Sequence, residues 1–219
     1  MFSCAKCGVL ACRTTEEKPL PKNCPMREEA LLTEAMAAYR EPENRQFYIT
    51  ASEIEALGHF QWPRVKETMA LCRRLGYVRL GLAFCGGLKK EAKILCDILE
   101  RNGFQVVSVM CKAGGKDKCE AGMGEAYKLH PGEFEPMCNP IFQAKLLNSQ
   151  ECQMNIVLGL CVGHDSLLYK YSDALVTTLA AKDRVLAHNP LGAIYQADGY
   201  YRERLDVEEH ICSKPQTDH

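Results

Sequence analysis

The sequence predicts an α/β protein: a small doubly wound, mainly parallel four-stranded sheet, preceded by a cysteine-rich segment and helices. Three observations carry that expectation. From Tyr77 onward, short apolar runs alternate with helical periods long enough to act as crossovers, which implies parallel pairing through right-handed connections. Before Tyr77 the periodicity is helical. Before that, four of the chain's 13 cysteines fall within the first 24 of 219 residues.

Residues 1–25 are rich in Cys, Lys and Pro and have no long apolar period, so metal coordination would have to replace a hydrophobic core there. Pro25 opens a helical stretch in which Leu31, Leu32, Ala35, Met36 and Tyr39 share one face. Glu41-Pro42-Glu43-Asn44 reads as its break. A second helix is expected from Thr50, where Thr50-x-x-Glu53 has the form of a capping box. A third spans 63–76, opened by Pro63, stopped by Gly76, with Val65, Met69 and Cys72 as its inward stripe. Residues 26–76 are thus expected to be a helical segment packing on the core.

Residues 77–84 form the first expected strand, ended by Cys85-Gly86-Gly87. Leu88, Ala92, Leu95 and Leu99 mark the inward face of the following helix, and Gly103 stops it. The second strand, 104–110, runs into Cys111. A polar, glycine-rich excursion over 112–137, either a lid or a surface loop, leads to Cys138. The next helix opens at Asn139-Pro140, with Asn139 as N-cap and Pro140 in the first turn. A third strand over 154–160 ends at Cys161, and a fourth covers 174–180. Residues 77–219 therefore read as a Rossmann-like α/β domain.

The chemistry lies in the cysteines. Cys4-x2-Cys7-x4-Cys12-x11-Cys24-Pro25 supplies a complete set of four thiolates for one metal centre. Cys7-Gly8 suits the tight knuckle of a zinc ribbon, whereas the mixed two- and four-residue gaps and Cys24-Pro25 resemble iron–sulfur spacings. Zinc and iron–sulfur both remain open, as does a tail of reduced thiols. A second set follows from topology, because ligands of open α/β sheets bind beyond the carboxyl ends of the strands. Cys85, Cys111 and Cys161 follow three strands, and Cys138 precedes a helix N-terminus that would favour its thiolate. These four could hold a [4Fe-4S] cluster. His164, His188 and Asp165 stand at the same edge as candidate acid–base groups, with Lys182 and Arg184 as cations. The plainer readings are buried core thiols, helix capping by Asp165 and ion pairing by Asp183. Cys72 and Cys96 lie on helix faces and read as core. No role follows for Cys119, Cys152 or Cys212, although Cys119 could approach Cys111.

Composition narrows the partners. The hydrophobic share of 47% and charged share of 25% are those of a globular protein, and 27 basic against 28 acidic residues leave a net charge of −1. No concentrated basic face suggests nucleic acid, and no apolar run approaches the length of a membrane span. Absence of a basic-then-apolar leader and an odd number of cysteines argue for a reducing, cytoplasmic setting. Gly86-Gly87 and Gly114-Gly115-Lys116 match neither a dinucleotide fingerprint nor a Walker loop.

The pieces CAKCGVLAC…NCP, GLAFCGGLKKEA, MCNPI and the block over 155–190, in that order, resemble a family of uncharacterised prokaryotic metal-binding proteins. The resemblance implies metal binding and an anaerobic or facultative metabolism, and supplies no reaction. The expectation is a cytosolic metalloprotein with an N-terminal Cys4 site and an inner cysteine-lined site serving redox or electron transfer. Its partners would be a metal ion or cluster, a small-molecule substrate or a redox partner protein, with no nucleic acid and no membrane. Two alternatives stand beside it: a zinc-stabilised binding or carrier protein, and a thiol redox enzyme using Cys111 or Cys161 with His164 as base.

Overall fold

A computed structural model describes residues 1–208; Cys212 lies outside them. The chain divides into two units, Met1–Trp62 and Pro63 onward. In the first, single 3-10 turns at Cys4–Lys6, Ala11–Arg13 and Pro25–Arg27 precede helices α1 (Glu29–Ala38) and α2 (Pro42–Gly58). The expected helix start at Thr50 is wrong. Pro42 is the first helical residue of α2, where its missing N–H and fixed φ are an advantage, so the turn read as a break is a beginning. Thr50 lies mid-helix, and its hydroxyl donates to the Gln46 carbonyl at 2.8 Å. The chain actually breaks at Tyr39–Glu41, and the expected stripe of α1 is exposed along its length, Leu31 at 60% and Met36 at 54%.

The second unit carries α3 (Arg64–Arg74), β1 (Arg79–Phe84), α4 (Lys89–Arg101), β2 (Gln105–Met110), α5 (Pro140–Ser149), β3 (Met154–Leu158), α6 (His164–Tyr171), β4 (Val176–Ala180) and α7 (Leu191–Tyr195). All four strands are parallel, in the order β2-β1-β3-β4. The chain steps one way from β1 to β2 and the other way for every later strand. Crossovers of one hand must then change face: α4 covers one side of the sheet, α5 and α6 the other. β1 and β3 therefore diverge at their carboxyl ends, the topological switch point of a doubly wound sheet.

Three helix ends feed strands through the same device. Gly76 N donates to Arg73 O and Tyr77 N to Cys72 O after α3; Gly103 N donates to Glu100 O and Phe104 N to Leu99 O after α4. This is the Schellman pair, and glycines at φ 73° and 83° carry its left-handed position. Glu151, at φ 52°, does the same after α5 without a glycine to announce it.

Side chains alternate across the sheet. Leu80, Leu82 and Phe84 of β1 and Met154, Ile156 and Leu158 of β3 meet Cys72 of α3 and Ala92, Leu95 and Leu99 of α4. Ala83, Val109 and Val157 face Ala144 and Leu147 of α5 and Leu168 of α6. Each fully buried leucine contributes roughly 1.5–3 kcal/mol. Among the described residues no helix is long and apolar enough to cross a membrane.

On the α5 face the sheet needs a gap at β1. A Cβ on Gly81 would collide with Asn155 Oδ1 and stand 3.0 Å from Leu147 Cδ1, and both neighbours are fully buried. Gly81→Ala is expected to cost about 1–3 kcal/mol through overpacking, read as a lower urea midpoint at unchanged m-value.

Candidate sulfur centre

Strand register builds the site. Phe84 lies opposite Met110 on one side and Leu158 on the other. Pairing continues one residue further: Cys111 N donates to Phe84 O at 2.8 Å, and Cys85 N to Leu158 O at 3.1 Å. Cys85 and Cys111 thus stand side by side on neighbouring strands, about 4.8 Å apart at the backbone. Phe84 and Met110 pack toward α4, so the period of two sends both cysteines to the opposite face, where α5 begins.

The third sulfur arrives with α5. Asn139 N donates to Cys111 O at 2.7 Å, and the Asn139 carboxamide caps Phe142 N at 3.1 Å. Gln143, fully buried one turn into the helix, donates to Val109 O at 2.8 Å and Phe84 O at 3.3 Å. These bonds fasten the start of α5 to the ends of β1 and β2, and leave the Sγ atoms of Cys111 and Cys138 3.9 Å apart. Gly86 N donates to Cys111 Sγ at 3.4 Å.

The excursion over 112–137 returns the chain to this point as a clipped, ordered piece. Lys118 N donates to Glu135 O at 3.0 Å and Met137 N to Lys116 O at 2.8 Å across an antiparallel bridge at Asp117 and Pro136. Within it the buried Lys128 ammonium lies 3.0 Å from both Asp117 and Glu125. Cys119, which could have approached Cys111, instead donates to Glu125 Oε2 at 2.9 Å.

Cations surround the sulfurs. Lys182 stands near enough to Cys85, and Lys112 to Cys138, to favour their thiolates, and Arg184 Nη2 lies 3.2 Å from Cys161 Sγ. Arg184 also feels the charges of Cys85 and Cys138. The bond to Cys138, together with burial, pushes the Cys111 thiol well above the usual range. The same bond pulls Cys138 down to about 5; burial opposes it, and Lys112 and His164 assist. Burial raises the Cys85 thiol, but the Gly87 amide and the Lys182 ammonium outweigh it and hold it below its ordinary value. The asymmetry describes one proton shared by Cys111 and Cys138, resting on Cys111.

The other expected residues fall as follows. His164 begins α6, near enough to act electrostatically on Cys138, and its Nδ1 is buried without a hydrogen-bond partner among the described residues. Cys161 meets Arg184. Asp165 is no N-cap: Gly163 holds that position, and the Asp165 carboxylate accepts from Ser166 N at 2.8 Å. His188 serves its own loop, Nδ1 accepting from Asp183 N at 3.2 Å, and Asp183 accepts from Val185 N and Leu186 N. Cys72 is core, its sulfur 3.5 Å from Met154 Sδ; Cys96 is half-buried against the same core, and Cys152 is buried beneath α5. Sequence reasoning missed Lys112 and Gln143. The available signals were a lysine directly after a strand-end cysteine, and a glutamine one turn before inward-facing Leu147.

In the first unit, Cys4, Cys7 and Cys24 line one cavity of about 150 Å³ together with Ser3, Asn23 and Pro21. Cys7 N donates to Cys4 O and Cys24 N to Pro21 O, both at 3.0 Å, and the Asn23 carboxamide bonds Ser3 Oγ. Arg27 Nε donates to Pro21 O at 2.8 Å and closes the loop. Cys12 is exposed and is not part of the cavity lining. Among the described residues no three His, Cys, Asp or Glu side chains converge tightly enough to ligate a single metal ion.

The protonation pattern can be measured by mass spectrometry on the metal-free full chain. Alkylation of Cys138 by iodoacetamide is expected to rise through pH 5 and be flat above about pH 6.5, because the thiolate is then fully formed. Cys72, pushed up to about 12 by burial, stays unmodified while the protein is folded. Cys111→Ala removes the shared proton and should raise the Cys138 midpoint by at least about one unit.

No solved structure matches the chain. A 40% identical relative, "Uncharacterized protein MJ0455" of Methanocaldococcus jannaschii, aligns over 204 residues, 93% of this chain and 98% of the relative. The family described as "Protein of unknown function (DUF1847)" matches residues 24–179. That span holds Cys24, strands β1 to β3, all of β4 but Ala180, and all four inner cysteines. The chain belongs to the DUF1847 family.

Proposed function

We propose that this protein is a sulfur-ligated metalloprotein whose working centre is held by Cys85, Cys111 and Cys138, with Cys161 as the fourth thiolate. One observation carries the reading: the Cys111 and Cys138 sulfurs, 27 residues apart in sequence, stand 3.9 Å apart where β2 ends and α5 begins. Two thiolates on one tetrahedral metal atom, with metal–sulfur bonds of about 2.3 Å, lie about 3.8 Å apart; the Cys111–Cys138 pair already has that spacing, and the other sulfurs would close in on binding. Cys85 adjoins this pair. Gathering thiolates at one sheet edge requires compensating charge, and Lys112, Lys182 and Arg184 supply it.

The N-terminal cysteines are the second centre in this reading. Zinc demands donors around a point, whereas an iron–sulfur cluster is a multi-atom body that needs room. Three thiols lining a common cavity suit the cluster better. When bound, such a group supplies one-electron transfer. The chain's own residues contribute the sulfur ligands, the Gly86 and Gly87 amides that temper them, and His164 as a proton carrier beside Cys138. A reducing, cytoplasmic setting agrees with free thiols throughout the described cysteines, and the partner would be a small molecule or a redox protein.

The protonation asymmetry of the Cys111–Cys138 pair favours a second reading, a thiol redox enzyme. Its nucleophile would be Cys138, rather than the Cys111 or Cys161 expected from sequence, with Cys111 resolving.

Anaerobic purification with analysis for iron, zinc and acid-labile sulfide tests the proposal. Iron and sulfide should be present, and Cys138→Ser should lose the inner share while the half-buried control Cys96→Ser keeps it. A metal-free chain that forms a Cys111–Cys138 disulfide with oxidised glutathione would replace this reading with the second. One zinc per chain, lost on Cys4→Ser, would mark a zinc-stabilised carrier instead.

A further inference from the structure

The cations at the inner centre are not equivalent. Lys182 is engaged with Cys85; Lys112 is engaged with Cys138 and also donates to the Pro136 carbonyl. Arg184 is exposed and spends one Nη2 on Cys161. The rest of its planar donor fork is directed to no other side chain among the described residues, and none of the three cations there is ion-paired with a carboxylate. The Asp183 and His188 bonds brace the backbone of its loop, with Ala187 and His188 in the left-handed region at φ 50° and 64°. His164 N donates to the Cys161 carbonyl at 3.0 Å, and its Nδ1 is buried with no partner among the described residues. The sulfurs need charge compensation, which a lysine provides as well as an arginine. A guanidinium anchored at one nitrogen with its other donors unused is better suited to bidentate recognition of a carboxylate or phosphate.

We propose that Arg184, with His164 beside the same Cys161, forms the recognition half of the inner centre, and that this centre takes a small oxyanion-bearing molecule, its carboxylate or phosphate lying on the guanidinium. The inference builds on the inner sulfurs being the reactive centre, whatever metal they hold. Arg184 then sets specificity without ligating the metal, and the negative group of the substrate is drawn toward the sulfurs by the same field that tempers them.

The test uses the full chain, reduced and chelated, and follows alkylation of Cys138 by iodoacetate, an anion, against neutral iodoacetamide. Arg184→Gln should lower the iodoacetate-to-iodoacetamide rate ratio by about tenfold. Millimolar inorganic phosphate or acetate should slow wild-type alkylation and have no effect on the variant; whichever protects more strongly identifies the favoured oxyanion. Arg184→Lys should keep much of the rate ratio and lose the protection, since the charge remains and the fork does not. An unchanged ratio in Arg184→Gln, or no protection of wild type by either anion, overturns the proposal. Iron analysis of the untreated protein decides the metal reading separately. Iron-free protein that still shows anion protection would remove that reading and leave this one standing.

Discussion

The structure depends on the register of β1 against its two neighbours. Once Phe84 is set opposite Met110 and Leu158, the hydrogen-bond ladder can run one residue further, and Cys85 and Cys111 become lateral neighbours. A slip of β1 by one residue would turn Cys85 to the α4 face while Cys111 kept its own, and the two sulfurs would part. The register is strongly specified because β1 is sandwiched: Leu80, Leu82 and Phe84 must face α3 and α4, and the glycine and alanine between them admit α5 closely. Packing of the core and placement of the chemistry are thus one constraint.

The second constraint is the fastening of α5. Helix N-termini attract thiolates in general, but the macrodipole alone would not hold one sulfur near another. Here Asn139 bonds the Cys111 carbonyl through its backbone, and Gln143 reaches two strand-end carbonyls from inside the core. A buried glutamine whose donors are both engaged is a positional device, since a hydrophobic residue of similar size would pack but would not fix the helix start relative to β1 and β2. The excursion before α5 adds to this. Its antiparallel clip and buried lysine let a long polar segment leave and return without loosening Cys138.

Electrostatics then distinguishes sulfurs that composition treats alike. Cys111 and Cys138 share one proton, Cys85 is held by an amide and an ammonium, and Cys72 and Cys152 sit among apolar groups that keep them protonated. A centre with one ready thiolate, one proton-bearing neighbour and three cations at hand is prepared either for a metal or for thiol exchange. The N-terminal unit shows a different economy: with little apolar core of its own, its turns are shaped by backbone bonds around the cavity that Cys4, Cys7 and Cys24 line.

Much of this was legible in the chain. Alternating strands and helices required a parallel sheet, the apolar periods of 80–84 and 88–99 named the α4 face correctly, and Gly76 and Gly103 marked two helix ends, because each of these follows from local periodicity or backbone freedom. That strand-end cysteines belong to one edge also followed from topology. Local pattern misled at Thr50, where a capping-box spelling lay inside a helix already begun by Pro42, and it was silent at Glu151, where tertiary packing enforced a left-handed residue without a glycine. Only the folded molecule decided which cysteines meet, which one keeps the proton, and that Lys112 and Gln143 attend them. Those outcomes depend on distances of a few ångströms between residues far apart in sequence, which register and side-chain packing set and no local spacing encodes.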